Sequence, residues 1–172
     1  MRAFLLALAV VGIVASMTDV GFTQAKPSST ASIQGVWKIT ELVRTGANAA
    51  NIKAPQPSLY IFTPRHYSII SVNGTQARPA VAAFKNPDKP TDAEKLAMYE
   101  MWSPFTANSG TYEIKGTTLT RRPLVAKNAE VMTTAPPNVA EFKIQGNTLM
   151  LTNKSSAGQP ASETRFTLTR VE

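Results

Sequence analysis

Short runs of β-branched and aromatic residues recur along the chain and are separated by residues that favour turns, a pattern typical of antiparallel strands. The first run, 35–44, has apolar side chains at both odd and even positions, which indicates either a β-bulge or a strand covered on both faces. Runs at 59–63 and 67–72 flank residues 64–66, which we interpret as a hairpin tip. The last run, 162–171, ends the chain and is expected to pair with the first.

The C-terminal half contains an internal repeat. The segments 112–119 and 142–149 lie 30 residues apart, and each runs from an aromatic–x–Ile alternation through a glycine into Thr–Leu. A glycine between two alternating runs supplies the positive φ that a tight hairpin turn needs. We therefore predict two successive β-hairpins that turn at Gly116 and Gly146.

One helix interrupts the predicted strands. Thr91 and Glu94 have the spacing of a capping box, in which each side chain accepts a hydrogen bond from the backbone N–H of the other residue. We expect the helix to end near Trp102, before Pro104. The long excursion 76–105 contains this helix, and we interpret it as a flap or lid.

The number of strands favours a closed sheet. Eight or nine short antiparallel strands in a flat sheet would leave two edges exposed, and closure into a barrel removes them. We therefore predict an all-β fold, an antiparallel up-and-down β-barrel of about eight strands with one short helix. A sandwich of two sheets is the alternative.

The N-terminal segment is typical of a secretory signal peptide. Arg2 precedes an uncharged apolar run of 14 residues, 3–16, which is shorter than the roughly 20 residues of a membrane span. We predict a signal peptide at 1–25, a polar linker at 26–32 and a single folded domain at 33–172. The mature protein would then be exported to the periplasm or the medium without a transmembrane span. An uncleaved anchor or a buried helix is the alternative for this segment.

Composition restricts the available chemistry. The chain has 172 residues, one histidine and no cysteine, which excludes a disulfide framework, a thiolate nucleophile, a zinc–cysteine site and a multi-histidine metal site. The sequence also lacks a phosphate-cradling glycine loop, and we predict no metal and no cofactor. The net charge is +7, but the lysines and arginines are scattered, so no nucleic-acid partner is predicted.

An ordered series of short motifs resembles a known family. Gly35-Val36-Trp37 matches the Gly-x-Trp motif of lipocalins, and the region 33–172 resembles the lipocalin-like domain family of bacterial proteins. Members often carry a histidine in the strand after the Gly-x-Tyr motif, where this chain has Arg121 and Arg122. The resemblance implies a lipocalin-like barrel. The other matching segments are 59–64, 66–68, 91–94, 110–114, 142–149 and 151–152.

Trp37 and Arg170 are the residues to which we assign a structural role. In a closed barrel the first and last strands are neighbours, so Arg170 can lie over the face of Trp37 while the indole plugs the closed end. Such a cation–π contact contributes about 0.5–2 kcal/mol. The alternative is that Trp37 lines a ligand pocket.

Candidate ligand-binding residues come from the aromatic and basic side chains. An inward Arg121 or Arg122 can bind a carboxylate or phosphate bidentately, whereas solvated arginines or a structural ion pair are the alternatives. Histidine has an unperturbed pKa near neutrality. We interpret His66 as a loop or rim residue, and the alternative is a hydrogen-bonding or acid/base group at the barrel mouth. The aromatic residues are either plain core or the lining of a cavity. The candidates are Tyr60, Phe62, His66, Tyr99, Trp102, Tyr112, Arg121, Arg122 and Phe142.

The leading functional hypothesis is an exported barrel that binds a small hydrophobic or amphipathic molecule, with any anionic group met by Arg121 or Arg122. No catalytic residue is assigned. One competing hypothesis is a barrel isomerase, cyclase or dehydratase that uses His66 or a tyrosine, by analogy with proteins of similar architecture. The other is a structural or interaction module with a filled core. An interior cavity of several hundred Å³ favours binding or catalysis. No oligomeric state is indicated by the sequence.

Overall fold

A computed structural model describes residues 32–133, 137–155 and 161–172. The predicted signal peptide lies outside these residues, as does the predicted linker except for Ser32. The strands are β1 (Gly35–Arg44), β2 (Ala50–Ile52), β3 (Ser58–Phe62), β4 (His66–Val72), β5 (Phe105–Lys115), β6 (Thr118–Ala126), β7 (Asn138–Gln145), β8 (Thr148–Lys154) and β9 (Glu163–Arg170). The helices are α1 (Asp92–Trp102) and α2 (Glu130–Thr133).

The sheet closes into an antiparallel barrel of eight strands. Strands β3 to β9 pair in chain order, and β1 joins β3 on one side and β9 on the other. The β1–β9 pairing runs from Trp37 opposite Arg170 to Arg44 opposite Thr164. The predicted barrel is thus confirmed, and the sandwich alternative is wrong. Two short elements were not predicted: β2, which pairs with the C-terminal part of β1, and α2.

A β-bulge in β1 explains why its apolar residues change parity. The register with β9 shifts between Ile39 and Glu41. A bulge inserts one extra residue into the strand, so the inward-facing side chains change from odd to even residue numbers beyond it. Trp37 and Ile39 therefore share the inner face with Leu42, which lies opposite Phe166. The bulge is the first of the two explanations that the sequence pattern allowed.

The two hairpins predicted from the internal repeat are present. Lys115 pairs with Thr118 and Gln145 with Thr148, so each loop has two residues. The first loop residue is Gly116 in one hairpin and Gly146 in the other, with φ of 59° and 57°. Positive φ at this first position only is the pattern of a type II′ turn, which favours glycine there.

The barrel has a closed end and a mouth. The three tight hairpin tips and both ends of the barrel chain gather at the closed end, where the Arg170 N–H donates to the Asn147 carbonyl and the Val36 N–H to the Glu172 carbonyl. The longer connections, including those with α1 and α2, leave from the mouth. The closed half is filled by side chains of which no more than 1% is exposed: Trp37, Leu119, Leu149, Leu151 and Leu168.

Trp37 is the largest side chain in this filled half. None of its surface is exposed, and its Nε1–H donates to the Ile33 carbonyl at 2.8 Å. The guanidinium carbon of Arg170 lies 4.1 Å from the centroid of the Trp37 ring, so the contact expected from the sequence is present. Arg170 also donates to the carbonyls of Gln34 and Ser32, at 2.6 and 2.7 Å. One arginine thereby joins the last strand to the segment that enters the first.

We expect Arg170→Ala to lower the free energy of unfolding by about 2 kcal/mol, because it removes a cation–π contact and two charge-assisted hydrogen bonds. Urea unfolding followed by tryptophan fluorescence measures this loss. Arg165→Ala is the control, since Arg165 is an exposed arginine of the same strand paired with Glu163 and should change stability by less than about 0.5 kcal/mol. Equal losses in the two variants would contradict a role for the stacking.

Helix α1 begins as the sequence predicts. Thr91 and Glu94 form a complete capping box, and the helix ends at Trp102. The Nζ of Lys127 holds its C-terminal end by donating to the carbonyls of Trp102, Ser103 and Phe105. None of the helical residues is buried, so α1 is held to the barrel by its ends rather than by an apolar face.

Candidate functional site

A cavity of about 340 Å³ occupies the mouth half of the barrel. Its volume falls within the range of about 300–1,000 Å³ typical of small-molecule sites. Strands β1, β2, β3, β4 and β9 provide most of its wall, including Ile39, Leu42, Ile52, Tyr60, Ser71 and Phe166. Tyr60 pairs with Trp37 and so marks the inner end, whereas Arg44 stands at the rim. The barrel interior is therefore filled in one half and hollow in the other.

Larger grooves lie outside this interior. One of about 580 Å³ runs along β7 and β8 near the rim, and one of about 430 Å³ separates α1 from β5 and the end of β6. Both are more open to solvent than the mouth cavity. A ligand loses more contact with water in an enclosed site, so the mouth cavity is the better candidate despite its smaller volume.

Arg121 is a buried charge inside the barrel. Only 7% of its surface is exposed, because it lies on the inner face of β6 between Tyr112 of β5 and Asn138 of β7. One terminal nitrogen, Nη2, donates to the Asn138 side-chain oxygen. The guanidinium carbon lies 5.9 Å from the centroid of the Tyr67 ring. Nε is buried and forms no hydrogen bond with any residue that the structure describes.

Two tyrosines share the electrostatic environment of Arg121. Burial raises the pKa of Tyr60 and of Tyr67, and the positive charge of Arg121 acts in the opposite direction on both. Burial also lowers the pKa of Arg121, opposed only by these two tyrosines. Both hydroxyls therefore remain protonated at neutral pH and provide dipoles, not a counter-charge.

Further polar atoms inside the barrel lack partners. The Tyr67 hydroxyl and the Asn153 side-chain oxygen are buried, and neither forms a hydrogen bond within the described part of the chain. Most buried polar atoms in proteins are paired, so each exception calls for an explanation such as a ligand or a bound solvent molecule. With Arg121 Nε, they make the interior richer in unpaired polar groups than a purely structural core requires.

The structure brings five of the nine sequence-predicted ligand-binding residues to the inner face. Tyr60 and Phe62 are buried, and Tyr112 and Phe142 pack against the same core cluster. Phe62 and Tyr112 meet edge to face with their centroids 5.4 Å apart, and Arg121 completes the set. Only Tyr60 of these five lines the mouth cavity; Phe62 belongs to the filled half.

The other four predicted residues lie outside the barrel. Arg122 is exposed, because alternation along β6 sends it outward when Arg121 points inward. Tyr99 and Trp102 are 66% and 46% exposed on α1, so their expected meeting with the aromatic residues of the interior is wrong. None of the α1 residues lines the mouth cavity, and the role of α1 as a lid stays a prediction.

His66 lies at the opposite end from the cavity. It is the first residue of β4, at the tip that joins β3 and β4, where Phe62 pairs with Gly35 at the closed end. This position agrees with the interpretation of His66 as a loop or rim residue; the alternative, an acid/base group at the mouth, is wrong, because the order of strands puts this hairpin tip beside the start of β1 and the end of β9. His66 is exposed and shares no site with Arg121.

Several cavity residues were not singled out by the sequence. Leu42, Ser71 and Phe166 line the cavity, and Ser71 is a buried polar residue. Leu42 was hidden by the bulge that reverses parity, and Ser71 looked like an ordinary polar position near the end of a strand. Phe166 alternates regularly with polar neighbours, so the sequence predicts that it faces inward. The sequence does not predict that it lies in the mouth half of the barrel.

Within the described ranges no group of three or more histidine, aspartate or glutamate residues is placed to hold a metal ion. In the same ranges, neither helix is long and apolar enough to cross a membrane.

Comparison with family models, curated proteins and solved structures finds no match for this chain. The assignment of a site therefore rests on the geometry of the barrel interior.

Proposed function

We propose that this protein is an exported, lipocalin-like binding protein that holds a small, largely apolar molecule in the mouth half of its barrel. The observation that carries the proposal is the cavity of about 340 Å³ between the filled core and the mouth. Its wall includes Ile39, Leu42, Ile52 and Phe166, and apolar walls of this kind bind apolar ligands by excluding water from both surfaces.

Export and family membership are part of the proposal. The charged residue, apolar run and small residues of segment 1–25 support secretion, and the Gly-x-Trp motif at 35–37 supports the lipocalin-like assignment. A closed eight-stranded barrel with one open end is the architecture that the lipocalin-like assignment requires.

The geometry favours binding over the two competing functions. The enzyme hypothesis named His66 or a tyrosine as the acid/base group, and His66 lies at the closed end, where it does not converge with an arginine on the cavity. A module with a completely filled core is disfavoured by the hollow mouth half. We therefore propose a carrier or receptor role for the barrel.

Filling the cavity is expected to weaken binding. In Leu42→Trp the larger side chain would occupy space that the ligand needs, and we expect the affinity to fall by about tenfold or more, or by about 1.4 kcal/mol of binding free energy. The measurement is a fluorescence titration with N-phenylnaphthylamine, a neutral apolar probe that becomes bright when it leaves water. Circular dichroism confirms that each variant is folded.

Val43→Trp is the matched control. Val43 is the next residue of β1, pairs with Arg165 and faces outward, so the same substitution leaves the cavity open. We expect its affinity for the probe to equal that of the unmodified protein. An unmodified protein that does not bind the probe, or equal binding by both variants, would contradict a site in the mouth cavity.

A further inference from the structure

The positive charge of Arg121 has no negative partner among the residues that the structure describes. The three ion pairs formed by the described residues are Lys95–Asp92, Lys154–Glu141 and Arg165–Glu163, and none involves Arg121. Carboxylates of the barrel strands, such as Glu113 next to Tyr112, alternate to the outer face. The segments outside the described residues contain one acidic residue, Asp19, which belongs to the predicted signal peptide.

An uncompensated buried guanidinium is costly. Taking an ion out of water costs several kcal/mol in real proteins, and an arginine cannot escape this cost by losing its proton at neutral pH. Asn138 and the Tyr67 ring offset it only in part, because both are neutral. The presence of such a group is explained if an anion that is not part of the chain binds next to it and forms the ion pair.

The donors around Arg121 indicate which kind of anion fits. The unpaired Nε–H and the terminal nitrogens form a planar fork that matches the two oxygens of a carboxylate, and the unpaired Tyr67 hydroxyl can donate a third hydrogen bond. A single positive charge balances a monoanion. A phosphate dianion would leave one negative charge uncompensated in the same low-dielectric interior.

We propose that the ligand of this barrel is an amphipathic carboxylate, such as a medium-chain fatty acid, whose carboxylate pairs with Arg121 while its apolar part occupies the mouth cavity. The inference rests on the proposed binding function. Tyr60 connects the two regions, because it lines the inner end of the cavity and its hydroxyl lies within the field of Arg121. Arg44 at the rim adds positive charge along the path of an entering anion.

The test compares an acid with its neutral analogue. Decanoate and decanol are each used to displace N-phenylnaphthylamine from the full-length protein after extraction of lipids. We expect decanoate to bind about ten- to a hundredfold more tightly than decanol, which is the usual strength of a charge-assisted hydrogen-bonded pair. Arg121→Met should remove this preference, chiefly by weakening the binding of decanoate.

Two further arginines provide matched controls. Arg122→Met changes the exposed neighbour on the same strand, and Arg44→Met changes the arginine at the rim. Arg122→Met should leave the preference for decanoate unchanged, and Arg44→Met, which removes only charge at the rim, should reduce it less than Arg121→Met does. Loss of the preference in Arg44→Met, with its retention in Arg121→Met, would overturn the assignment to Arg121.

Thermal unfolding separates a ligand-binding arginine from a structural one. Because the charge is uncompensated without ligand, Arg121→Met should raise the melting temperature of the ligand-free protein by about 3 °C or more, whereas removal of a structural arginine would lower it. Decanoate should raise the melting temperature of the unmodified protein but not that of the variant. A fall in the ligand-free variant would overturn the inference.

The outcomes distinguish the two levels of the proposal. If the neutral probe binds but decanoate and decanol compete equally, the carboxylate inference is wrong and the binding function stands. If the probe and both competitors fail to bind, the binding function itself is wrong. Stabilisation by chloride that decanoate does not exceed would assign the site to a small inorganic anion and overturn the inference. The affinities of the unmodified protein for decanoate and decanol test the carboxylate inference even if a variant does not fold.

Discussion

Replacing Trp37 by alanine is expected to lower the free energy of unfolding by about 3–5 kcal/mol, the usual cost of removing a buried aromatic side chain. Trp37 is completely buried at the closed end, its Nε1–H is paired with the Ile33 carbonyl, and Arg170 stacks on its ring. The variant would lose the packing of the closed half and leave a cavity beside a guanidinium deprived of its aromatic partner. Urea unfolding monitored by circular dichroism measures the change.

Trp102→Ala is the internal control for this prediction. Trp102 is the second of the two tryptophans in the chain, and it is 46% exposed with an edge-to-face contact to Phe105. Its loss should cost no more than about 1 kcal/mol. If the two variants have the same free energy of unfolding, packing at the closed end is not the main source of stability.

Gly110→Ala is expected to cost about 3 kcal/mol or to prevent folding, because no space exists for a methyl group at this position. A Cβ built on Gly110 would lie 2.0 Å from the carbonyl oxygen of Arg122 and 2.9 Å from the backbone nitrogen of Leu124. These atoms belong to the backbone of β6 and cannot turn aside as a side chain would. Thermal unfolding of the purified variant, together with its soluble yield, measures the effect.

Gly146→Ala separates steric exclusion from backbone strain. Gly146 has a φ of 57°, yet nothing lies within 4 Å of a Cβ built there. The same substitution should therefore cost only about 1–2 kcal/mol, the penalty of placing alanine in a left-handed conformation. Equal losses at both glycines would contradict the close approach of β5 and β6 at Gly110.

The irregular pairing at Gly110 also lies close to the candidate site. The register of β5 and β6 shifts between Ser109 and Gly110, and Gly110 itself pairs with Tyr67 on one side and Pro123 on the other. Arg121 therefore lies just beyond an irregularity in the ladder, on the regular side where it pairs with Tyr112. Bulges are common beside functional sites because they redirect side chains, and here one stands next to Tyr67 and Arg121.

Much of the fold could be predicted because its signals are local. The glycines of the two repeated hairpins, the capping box at Thr91 and the alternation along β9 each act over a few residues. Closure of the barrel was also predictable, because this number of strands in an open sheet would leave two edges exposed. The short strand β2 and the four-residue α2 were missed because segments of that length carry too little periodicity to be recognised.

The candidate site was predictable only in part. The pair Arg121–Arg122 was recognised as one inward and one outward residue, but the pattern did not say which, because a shift of one residue in register exchanges the two faces. Aromatic residues on α1 were expected inside on the basis of their spacing, yet the helix is attached by its ends and leaves them in solvent. The spacing of residues predicts which side chains share a face of a helix or strand. It does not predict what that face contacts.

The amino-acid sequence by itself determined the eight strands of the barrel, the tight hairpin turns, the helix cap and the pairing of the first strand with the last. These depend on backbone preferences and on alternation between neighbouring residues. The tertiary structure decided that Arg121 is buried with no counter-charge among the described residues, that the closed half is filled and the mouth half hollow, and that His66 lies at the end opposite the cavity. Those properties depend on register, bulges and strand order, which relate residues distant in sequence and determine what lies inside the barrel.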